Sequence, residues 1–131
     1  MLAKITVADY MTKKVVTLSK DVHVIDAVKK LLDHKITCAP VVDELGRLVG
    51  LFSEKDSIKV FLESVYNQGM GGKVGDYMTT GTISVDADSS IVELAEKFDH
   101  SSVRSFPVFD DGQFVGIISR TDVLRALISL K

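Results

Sequence analysis

The sequence predicts a mixed α/β fold of the α+β kind, assembled from two copies of one strand–helix–strand–strand–helix unit. The composition, 46% apolar and 26% charged over 131 residues, is typical of a soluble globular protein with a real hydrophobic core. Residues 7–12 read Val-Ala-Asp-Tyr-Met-Thr, and residues 74–79 read Val-Gly-Asp-Tyr-Met-Thr, 67 positions later. Around these segments, β-branched runs and stretches of helical apolar spacing follow in the same order in both halves of the chain.

The correspondence between the halves extends over nearly the whole chain. The offset of 67 still relates Pro40 to Pro107, and it falls to 66 after the turn that follows, because the second copy lacks one turn residue. The repeat therefore places one unit in residues 1–69 and the other in residues 70–131, with a linker at Met70-Gly71-Gly72. Neither unit is large enough to bury its sheet well alone, so the two copies are expected to stack face to face.

Each predicted element rests on a local pattern. Short β-branched runs favour strands, an acidic residue before apolar residues at helical spacing marks a helix start, and proline is tolerated as the first residue of a strand. Glycine-containing turns between two apolar runs favour hairpins. The expected elements are a strand at 15–18, a helix from Asp21 through Leu32, strands from Pro40 and at 47–52, a helix at 55–67, a strand at 82–85, a helix from Asp88 through Phe98, strands from Pro107 and at 113–118, and a helix at 121–130.

Charge and cysteine content exclude several classes of function. The net charge of -2 provides no bulk field towards nucleic acid or an anionic membrane, so tight nucleic-acid binding is not expected. The only cysteine, Cys38, excludes a disulfide framework and the zinc sites that need two or four cysteines, and we interpret it as a small buried hydrophobe. The chain contains no long apolar run and no secretory signal in residues 1–10, so we expect a cytoplasmic protein without membrane contact.

The pattern that carries chemistry is Gly-h-h-Ser-x-x-Asp, where h is apolar, and it occurs at 50–56 and at 116–122. It falls where a strand passes into a helix, and two interpretations share that geometry. In the first, Ser and Asp form a capping box, which is the favoured interpretation for either copy taken alone. In the second, the helix N–H groups and the Ser hydroxyl bind a phosphate, while the Asp accepts hydrogen bonds from two ribose hydroxyls. The pattern leaves both interpretations open.

The two Tyr-Met-Thr segments, Pro40 and Pro107 with their apolar runs, and the two Gly-h-h-Ser-x-x-Asp motifs resemble a tandem pair of CBS domains. These regulatory modules are named after cystathionine β-synthase, and the resemblance covers about residues 5–128. It implies two repeats packed through their sheets with pseudo-two-fold symmetry, leaving two clefts for a regulatory ligand: AMP, ADP, ATP or S-adenosylmethionine. Carried over by position, the implied site residues are Thr17, Ile36, Thr37, Pro40, Ser53 and Asp56 in the first cleft, and Ser84, Val103, Arg104, Pro107, Ser119, Thr121 and Asp122 in the second.

The two implied clefts differ in charge. The second has Arg104 before its proline and Arg120 with Thr121 inside its motif, and these residues can supply charge-assisted hydrogen bonds and a hydroxyl to phosphate. The corresponding positions of the first cleft hold Thr37, Glu54 and Lys55. We therefore expect the second cleft to bind phosphate better.

The resemblance predicts a stand-alone regulatory module, such as an energy sensor, rather than an enzyme. The sequence contains no P-loop, no nucleophile elbow and no nucleophile–base set. His34 and Cys38 are four residues apart but have no third ligand nearby, so no metal site is expected, and no cofactor is required. Its output is expected through a homodimer paired by helices near 55–67 and 121–130, or through an unknown effector protein. The apolar residues of these helices are alternatively part of the monomer's core. The alternative function is a structural dimerisation or interaction scaffold whose clefts stay empty.

Overall fold

The computed structural model describes residues 4–67 and 71–130, the side chain of Asn67 excepted, and shows the expected mixture of helices and strands. The predicted helix end at Gly69 and the linker residue Met70 lie outside the described residues. The elements are α1 (Val7–Tyr10), α2 (Val24–Asp33), β1 (Cys38–Val42), β2 (Leu48–Ser53), α3 (Glu54–Asn67), α4 (Val74–Tyr77), β3 (Val85–Asp86), α5 (Ile91–Asp99), β4 (Ser105–Asp110), β5 (Gln113–Ser119) and α6 (Arg120–Ser129).

The chain folds into two compact units that cut across the sequence repeat. The middle unit consists of Val16–Thr82, and the terminal unit combines Met1–Val15 with Ile83–Lys131. Each unit therefore contains the helix–strand–strand–helix set of one copy together with the Tyr-Met-Thr segment of the other copy. The expected division into residues 1–69 and 70–131 concerns the sequence repeat and stays a prediction.

The middle unit is built on the amphipathic helix α2 and a two-stranded hairpin. Val24, Ala27 and Leu31 follow helical spacing and are buried. Ala27 and Leu31 belong to a core cluster that also contains residues of β1 and β2. Leu32, the last apolar residue of the predicted helical pattern, is 71% exposed because it is one residue beyond Leu31 and points to another side of the helix. β1 and β2 pair antiparallel.

The terminal unit has a three-stranded sheet in the order β3-β4-β5. β3 pairs parallel with β4, and β4 pairs antiparallel with β5. α5 begins after Ser90, whose hydroxyl accepts a hydrogen bond from the Glu93 amide at 3.1 Å, a typical N-cap. The buried core residues of this unit are Val7, Val85, Ala87, Ile91, Leu94, Phe98, Phe106, Val108, Ile118 and Ala126.

The two hairpin turns explain the change of offset from 67 to 66. In the terminal unit, Asp111 and Gly112 connect the strands with φ values of 51° and 78°, as a two-residue hairpin turn with two positive φ angles requires. In the middle unit the turn is longer, and Asp43 Oδ1 accepts hydrogen bonds from the amides of Leu45 and Arg47, both at 2.9 Å. From Cys38 to Ser53 the first hairpin therefore contains one residue more than the second, although its strands β1 and β2 are each one residue shorter than β4 and β5.

The first strand of each copy is shorter than the sequence predicts. In place of a strand at 15–18, only Leu18 forms a parallel bridge, to Val41, with hydrogen bonds from its amide and to its carbonyl. The chain then turns at once, because the Asp21 amide donates to the Ser19 hydroxyl. In place of a strand at 82–85, the structure has the two-residue strand β3. Strand pairing is limited here by the turn that precedes each long helix.

The segments 7–12 and 74–79 each begin with a single-turn helix that the sequence pattern does not reveal, and each helix ends at the Tyr of Tyr-Met-Thr. α1 and α4 have four residues each, too few to show a helical period, and each has an Asp whose carboxylate accepts the amide three residues earlier. After α4, Thr79 pairs with Leu51 of β2 in the middle unit. After α1, Thr12 pairs with Ile117 of β5 in the terminal unit. Each segment thus adds to the hairpin of the other copy.

This pairing explains the glycine of the Gly-h-h-Ser-x-x-Asp motif. A Cβ atom on Gly116 would lie 2.4 Å from the Thr12 carbonyl oxygen, closer than any side chain can approach backbone. A Cβ atom on Gly50 would lie 2.7 Å from the Met78 sulfur and 3.0 Å from the Thr79 carbonyl oxygen. Gly116 is therefore required by the close approach of backbone, whereas the atom nearest to a Cβ at Gly50 belongs to the flexible Met78 side chain.

Candidate functional site

The Ser and Asp of the repeated motif form the same capping box in both units. In the middle unit, Asp56 Oδ2 accepts hydrogen bonds from the Ser53 amide at 2.9 Å and from the Ser53 hydroxyl at 3.0 Å. In the terminal unit, Asp122 Oδ2 accepts the same two bonds from Ser119 at 2.8 and 3.1 Å. The Asp amides in turn donate to the Ser hydroxyls at 3.2 and 3.3 Å. Both Asp residues are buried, with exposures of 1% and 4%, so the capping interpretation holds at each helix start.

The second carboxylate oxygen of each Asp has a different set of neighbours. Asp56 Oδ1 accepts the Thr79 hydroxyl at 3.1 Å, and the Lys59 ammonium lies 3.9 Å away. Asp122 Oδ1 accepts a hydrogen bond from the Arg125 guanidinium at 2.7 Å. In both units the cation is three residues after the Asp on the same helix, one turn further along. Among the described residues, a hydroxyl donates to Oδ1 of the motif Asp only at Asp56, where the donor is Thr79.

In each unit, the residues just before the first hairpin strand bond to the start of the helix that follows the hairpin. The Glu54 amide donates to the Thr37 carbonyl at 2.9 Å, and the Arg120 amide donates to the Arg104 carbonyl at 3.1 Å. The Arg120 side chain also donates from Nε to the Val103 carbonyl at 3.2 Å. The first backbone amides of α3 and α6 therefore already donate to carbonyl groups. Only later amides of the first helical turn could bind a phosphate.

The strand register brings the remaining site residues of the terminal unit to one end of its sheet. Ser84 directly precedes β3, whose Val85 pairs with Val108, so Ser84 lies level with Pro107. Ser119 ends β5 at the same end, where α6 begins. The exposed residues here are Ser84, Val103, Arg104 and Thr121, whereas Ser119 is half-buried and Pro107 is fully buried. The sheet end thus combines hydroxyls, the cationic side chain of Arg104 and the exposed apolar side chain of Val103.

The middle unit repeats this arrangement with different side chains. Thr17 precedes the bridge between Leu18 and Val41, so it lies level with Pro40. Its carbonyl accepts a bond from the Lys30 ammonium at 3.4 Å. The half-buried residues at this end are Thr17, Ile36, Thr37 and Ser53, and Pro40 is fully buried. All six residues assigned to the first cleft therefore belong to one unit.

Cys38 lies at the same end of the middle unit, opposite Ser53 in the strand register. Burial, reinforced by the negative charge of Asp56, raises the pKa of the Cys38 thiol to about 12. A thiol that keeps its proton at neutral pH is a poor nucleophile and a poor metal ligand. Among residues 4–67 and 71–130, no group of three His, Cys, Asp or Glu side chains is arranged to hold a metal ion.

Three residues of the sites were not identified from the sequence. Lys59 and Arg125 both follow the motif Asp by three positions, so the periodicity of the helix is a signal that could have identified them. Thr79 carries no such signal, because its hydrogen bond to Asp56 spans 23 residues and depends on the strand pairing. None of the helices in the described part of the chain is both long and apolar enough to cross a bilayer.

Comparison with known proteins gives matches over nearly all of the chain. The sequence model of the family described as CBS domain matches residues 7–63 and 74–129. The CBS domain-containing protein CBSX1, chloroplastic, of Arabidopsis thaliana is 30% identical over an alignment that covers 96% of this chain and 65% of the relative, so the chain spans just under two thirds of that protein.

Solved structures resemble the chain as well. The structure of Arabidopsis thaliana CBSX2 in complex with AMP has 28% identity and a TM-score of 0.85, covering 96% of this chain and 98% of that chain. The CBS domain pair of protein MJ0100, in complex with 5′-methylthioadenosine and S-adenosyl-L-methionine, has 28% identity and a TM-score of 0.82 with the same coverage.

Proposed function

The chain belongs to the CBS domain family, and on that basis we propose that it is a regulatory module that reversibly binds an adenosine ligand. The ligand is AMP, ADP, ATP or S-adenosylmethionine. Two similar structures, at 28% identity each, contain AMP in one case and 5′-methylthioadenosine with S-adenosyl-L-methionine in the other. Binding acts by changing the populations of conformations or assemblies that differ in ligand affinity.

The observation that carries the proposal is the sheet end that occurs once in each unit. Each combines a buried carboxylate at a helix start, a serine hydroxyl, and a further hydroxyl level with the proline of the neighbouring strand. The carboxylate provides acceptors for ribose hydroxyls, and the hydroxyls and helix start provide donors for phosphate. In the middle unit these groups are Asp56, Ser53 and Thr17; in the terminal unit they are Asp122, Ser119 and Ser84.

The terminal unit supplies the stronger phosphate site in this proposal. Arg104 and Arg120 carry positive charge at its sheet end, and the bond from Arg120 Nε to the Val103 carbonyl holds that guanidinium beside the loop before β4. The exposed Thr121 adds a hydroxyl in the first turn of α6. Arginine and threonine together suit phosphate oxygens, because the guanidinium contributes charge-assisted bonds. Ligands with phosphate are therefore expected to occupy the terminal unit first.

Ligand binding is proposed to act on other proteins through the exposed apolar faces of α3 and α6. α3 exposes Ile58, Phe61, Leu62 and Val65, and α6 exposes Leu124, Leu127 and Ile128, so these residues are not part of the described core. Exposed apolar helix faces of this kind are interaction surfaces. We assign them to a homodimer, with an effector protein as a further partner. The chain is proposed to release its ligand unchanged and to act in the cytoplasm.

A structural scaffold is the second candidate function, and the capping boxes favour it. Both Asp carboxylates already accept hydrogen bonds from serine and from a further side chain, so each has a structural role without any ligand. Under this alternative the sheet ends stay empty, and the motif serves only to start α3 and α6.

Isothermal titration with AMP, ADP, ATP and S-adenosylmethionine distinguishes the two functions. Saturable heat with at least one ligand is expected, and Asp122→Ala is expected to weaken binding of phosphate-containing ligands at least tenfold, since it removes the acceptors for the ribose. Asp122→Asn, which keeps an oxygen for the Ser119 amide, separates the ligand effect from loss of the cap. Asp99→Ala is the matched control, because Asp99 belongs to the same unit and its side chain is 85% exposed.

Absence of heat with all four ligands, from folded protein free of bound nucleotide, would establish the scaffold instead. Chromatography of the ligand after incubation checks that no product forms, and a new product would show that the module is an enzyme.

A further inference from the structure

We propose that Thr79 determines how strictly the middle unit requires an intact ribose, so that this unit accepts 2′-deoxyadenosine ligands that the terminal unit discriminates against. The inference rests on the proposed function, because it concerns the same adenosine sites. It assigns a positioning role to a residue outside the Gly-h-h-Ser-x-x-Asp motif, which acts through Asp56.

The number of acceptor positions on Asp56 limits what a ligand can bind there. A carboxylate has about four lone-pair positions, two on each oxygen. Oδ2 is filled by the amide and hydroxyl of Ser53 at 2.9 and 3.0 Å. The Thr79 hydroxyl donates to Oδ1 at 3.1 Å and has only a longer contact of 3.4 Å to the already filled Oδ2. The Lys59 ammonium at 3.9 Å is beyond hydrogen-bond distance. One position on Oδ1 therefore remains, enough for one of the two ribose hydroxyls.

Thr79 cannot easily leave this position. Its amide donates to the Leu51 carbonyl at 2.8 Å, and its carbonyl accepts the Leu51 amide at 2.9 Å, so the backbone is paired on both sides. A β-branched side chain also has few χ1 rotamers to choose from. The hydroxyl therefore stays at Oδ1 unless the side chain adopts another rotamer or the pairing with β2 is broken.

The terminal unit lacks this restriction. Asp122 Oδ2 is likewise filled by Ser119, but the partner of Oδ1 is Arg125, whose side chain is 65% exposed. The exposed guanidinium can move into water when ribose hydroxyls replace it, because they then satisfy the buried Asp122 Oδ1. Thr12, the counterpart of Thr79, makes no hydrogen bond to Asp122 within the described residues. Both positions on Asp122 Oδ1 can therefore pass to the two ribose hydroxyls.

The ribose 2′-hydroxyl should consequently contribute more to binding affinity in the terminal unit than in the middle unit. In the terminal unit its loss removes a hydrogen bond to a carboxylate, which corresponds to about tenfold weaker binding. In the middle unit, where Thr79 holds one position, the loss is expected to be about threefold or less. The Thr79→Val variant should restore the stricter requirement to the middle unit.

An NMR titration of the whole chain tests this without first inactivating either site. The backbone amides of Lys55 and Thr121 occupy corresponding positions in α3 and α6, so they report on the middle and terminal units separately. AMP and ATP are each compared with their 2′-deoxy counterparts, in the wild type, Thr79→Val and Thr79→Ser. We expect Thr79→Val to tighten the ribose ligands at Lys55 about three- to tenfold and to leave the 2′-deoxy ligands unchanged. Thr79→Ser, which keeps the hydroxyl, should behave as the wild type.

Several results would overturn the inference. Equal discrimination at the two reporters in the wild type would do so, as would a Thr79→Val effect of the same size on ribose and 2′-deoxy ligands, which would make Thr79 merely structural. Shifts at Thr121 without saturable shifts at Lys55 would reject the inference and leave the proposed function intact. Absence of shifts at both reporters with every ligand would reject both.

Discussion

Each motif aspartate of this protein uses its two carboxylate oxygens differently. In Asp56 and Asp122 the Oδ2 atom caps a helix and the Oδ1 atom faces side chains that differ between the units. The capping and ligand-binding interpretations therefore use different atoms of one carboxylate and do not exclude each other. The sequence identifies the residue, but the division between its two oxygens depends on which side chains lie around it.

Cys38 provides a prediction about a single titratable group. Its pKa is raised from 9.0 to about 12 by burial and by Asp56, so the unfolded chain releases the proton at a lower pH than the folded protein does. The corresponding stability is fully present below pH 9 and is lost as pH rises from 9 towards 12. Relative to the wild type, Cys38→Ser should lose less stability in urea unfolding over this range. Serine suits the site, because Ser105 holds the corresponding place opposite Ser119.

Thiol alkylation measures the same property directly. At pH 8, folded protein should react with iodoacetamide at least about tenfold more slowly than protein unfolded in urea, because the thiolate is the nucleophile. Equal rates would mean that the Cys38 thiol is accessible in the folded protein and that its pKa is not raised.

The elements of the structure are linked by the pairing of each Tyr-Met-Thr segment with a hairpin. Thr12 pairs with β5 and Thr79 with β2, and the motif glycines allow the segments to approach. The contacts differ in kind: Gly116 faces backbone of Thr12, whereas Gly50 faces mainly the flexible side chain of Met78. A methyl group is accommodated only if its neighbour can move, so the two glycines are not equivalent.

Alanine substitutions test this difference. Gly116→Ala is expected to lower the free energy of unfolding by about 3 kcal/mol, and Gly50→Ala by about 1 kcal/mol, since only the methionine can move aside. Gly71→Ala is the control, because a Cβ atom there meets nothing within 4 Å. Urea unfolding followed by circular dichroism gives the three values. A Gly116 variant as stable as the Gly71 variant would contradict the close approach.

For the molecule as a whole, duplication gives two units with the same helix–strand–strand–helix set and different side chains at their sheet ends. Each unit combines parts of both copies, so neither sequence half contains all the residues of one folded unit. Apolar side chains remain exposed on both long helices that follow the motif. Such exposed faces are costly in a monomer, and a second copy of the chain is the partner that we propose for them.

Leu127→Asp tests the proposed assembly. Leu127 is 58% exposed on α6, so the substitution should leave the fold intact and convert the homodimer to a monomer, because it adds a charge to an apolar interface. Light scattering after size exclusion should change from twice 14.3 kDa to 14.3 kDa. Leu45→Asp, at a turn residue that is 76% exposed, should leave the mass of the dimer unchanged. A wild-type mass of 14.3 kDa at all concentrations would contradict the dimer.

The pattern of the sequence was sufficient for the long elements and for the family. Helical spacing identifies α2 and α5, and the apolar runs identify the strands of both hairpins, because these patterns arise from burial of one face of each element. The motif locates Asp56 and Asp122 at helix starts. Short elements escaped prediction: the bridge at Leu18 replaces a strand, and α1 and α4 have too few residues for a period.

What the repeated motifs establish is therefore the family, the order of elements and the residue types at each sheet end, since all of these depend on neighbours along the chain. The exchange of the Tyr-Met-Thr segments between copies and the bond from Thr79 to Asp56 depend on residues far apart in sequence. Identical motifs cannot specify which copy they pair with. That choice follows from packing, because Val7 and Val74 are buried in the cores of the units that contain the other copy's hairpin.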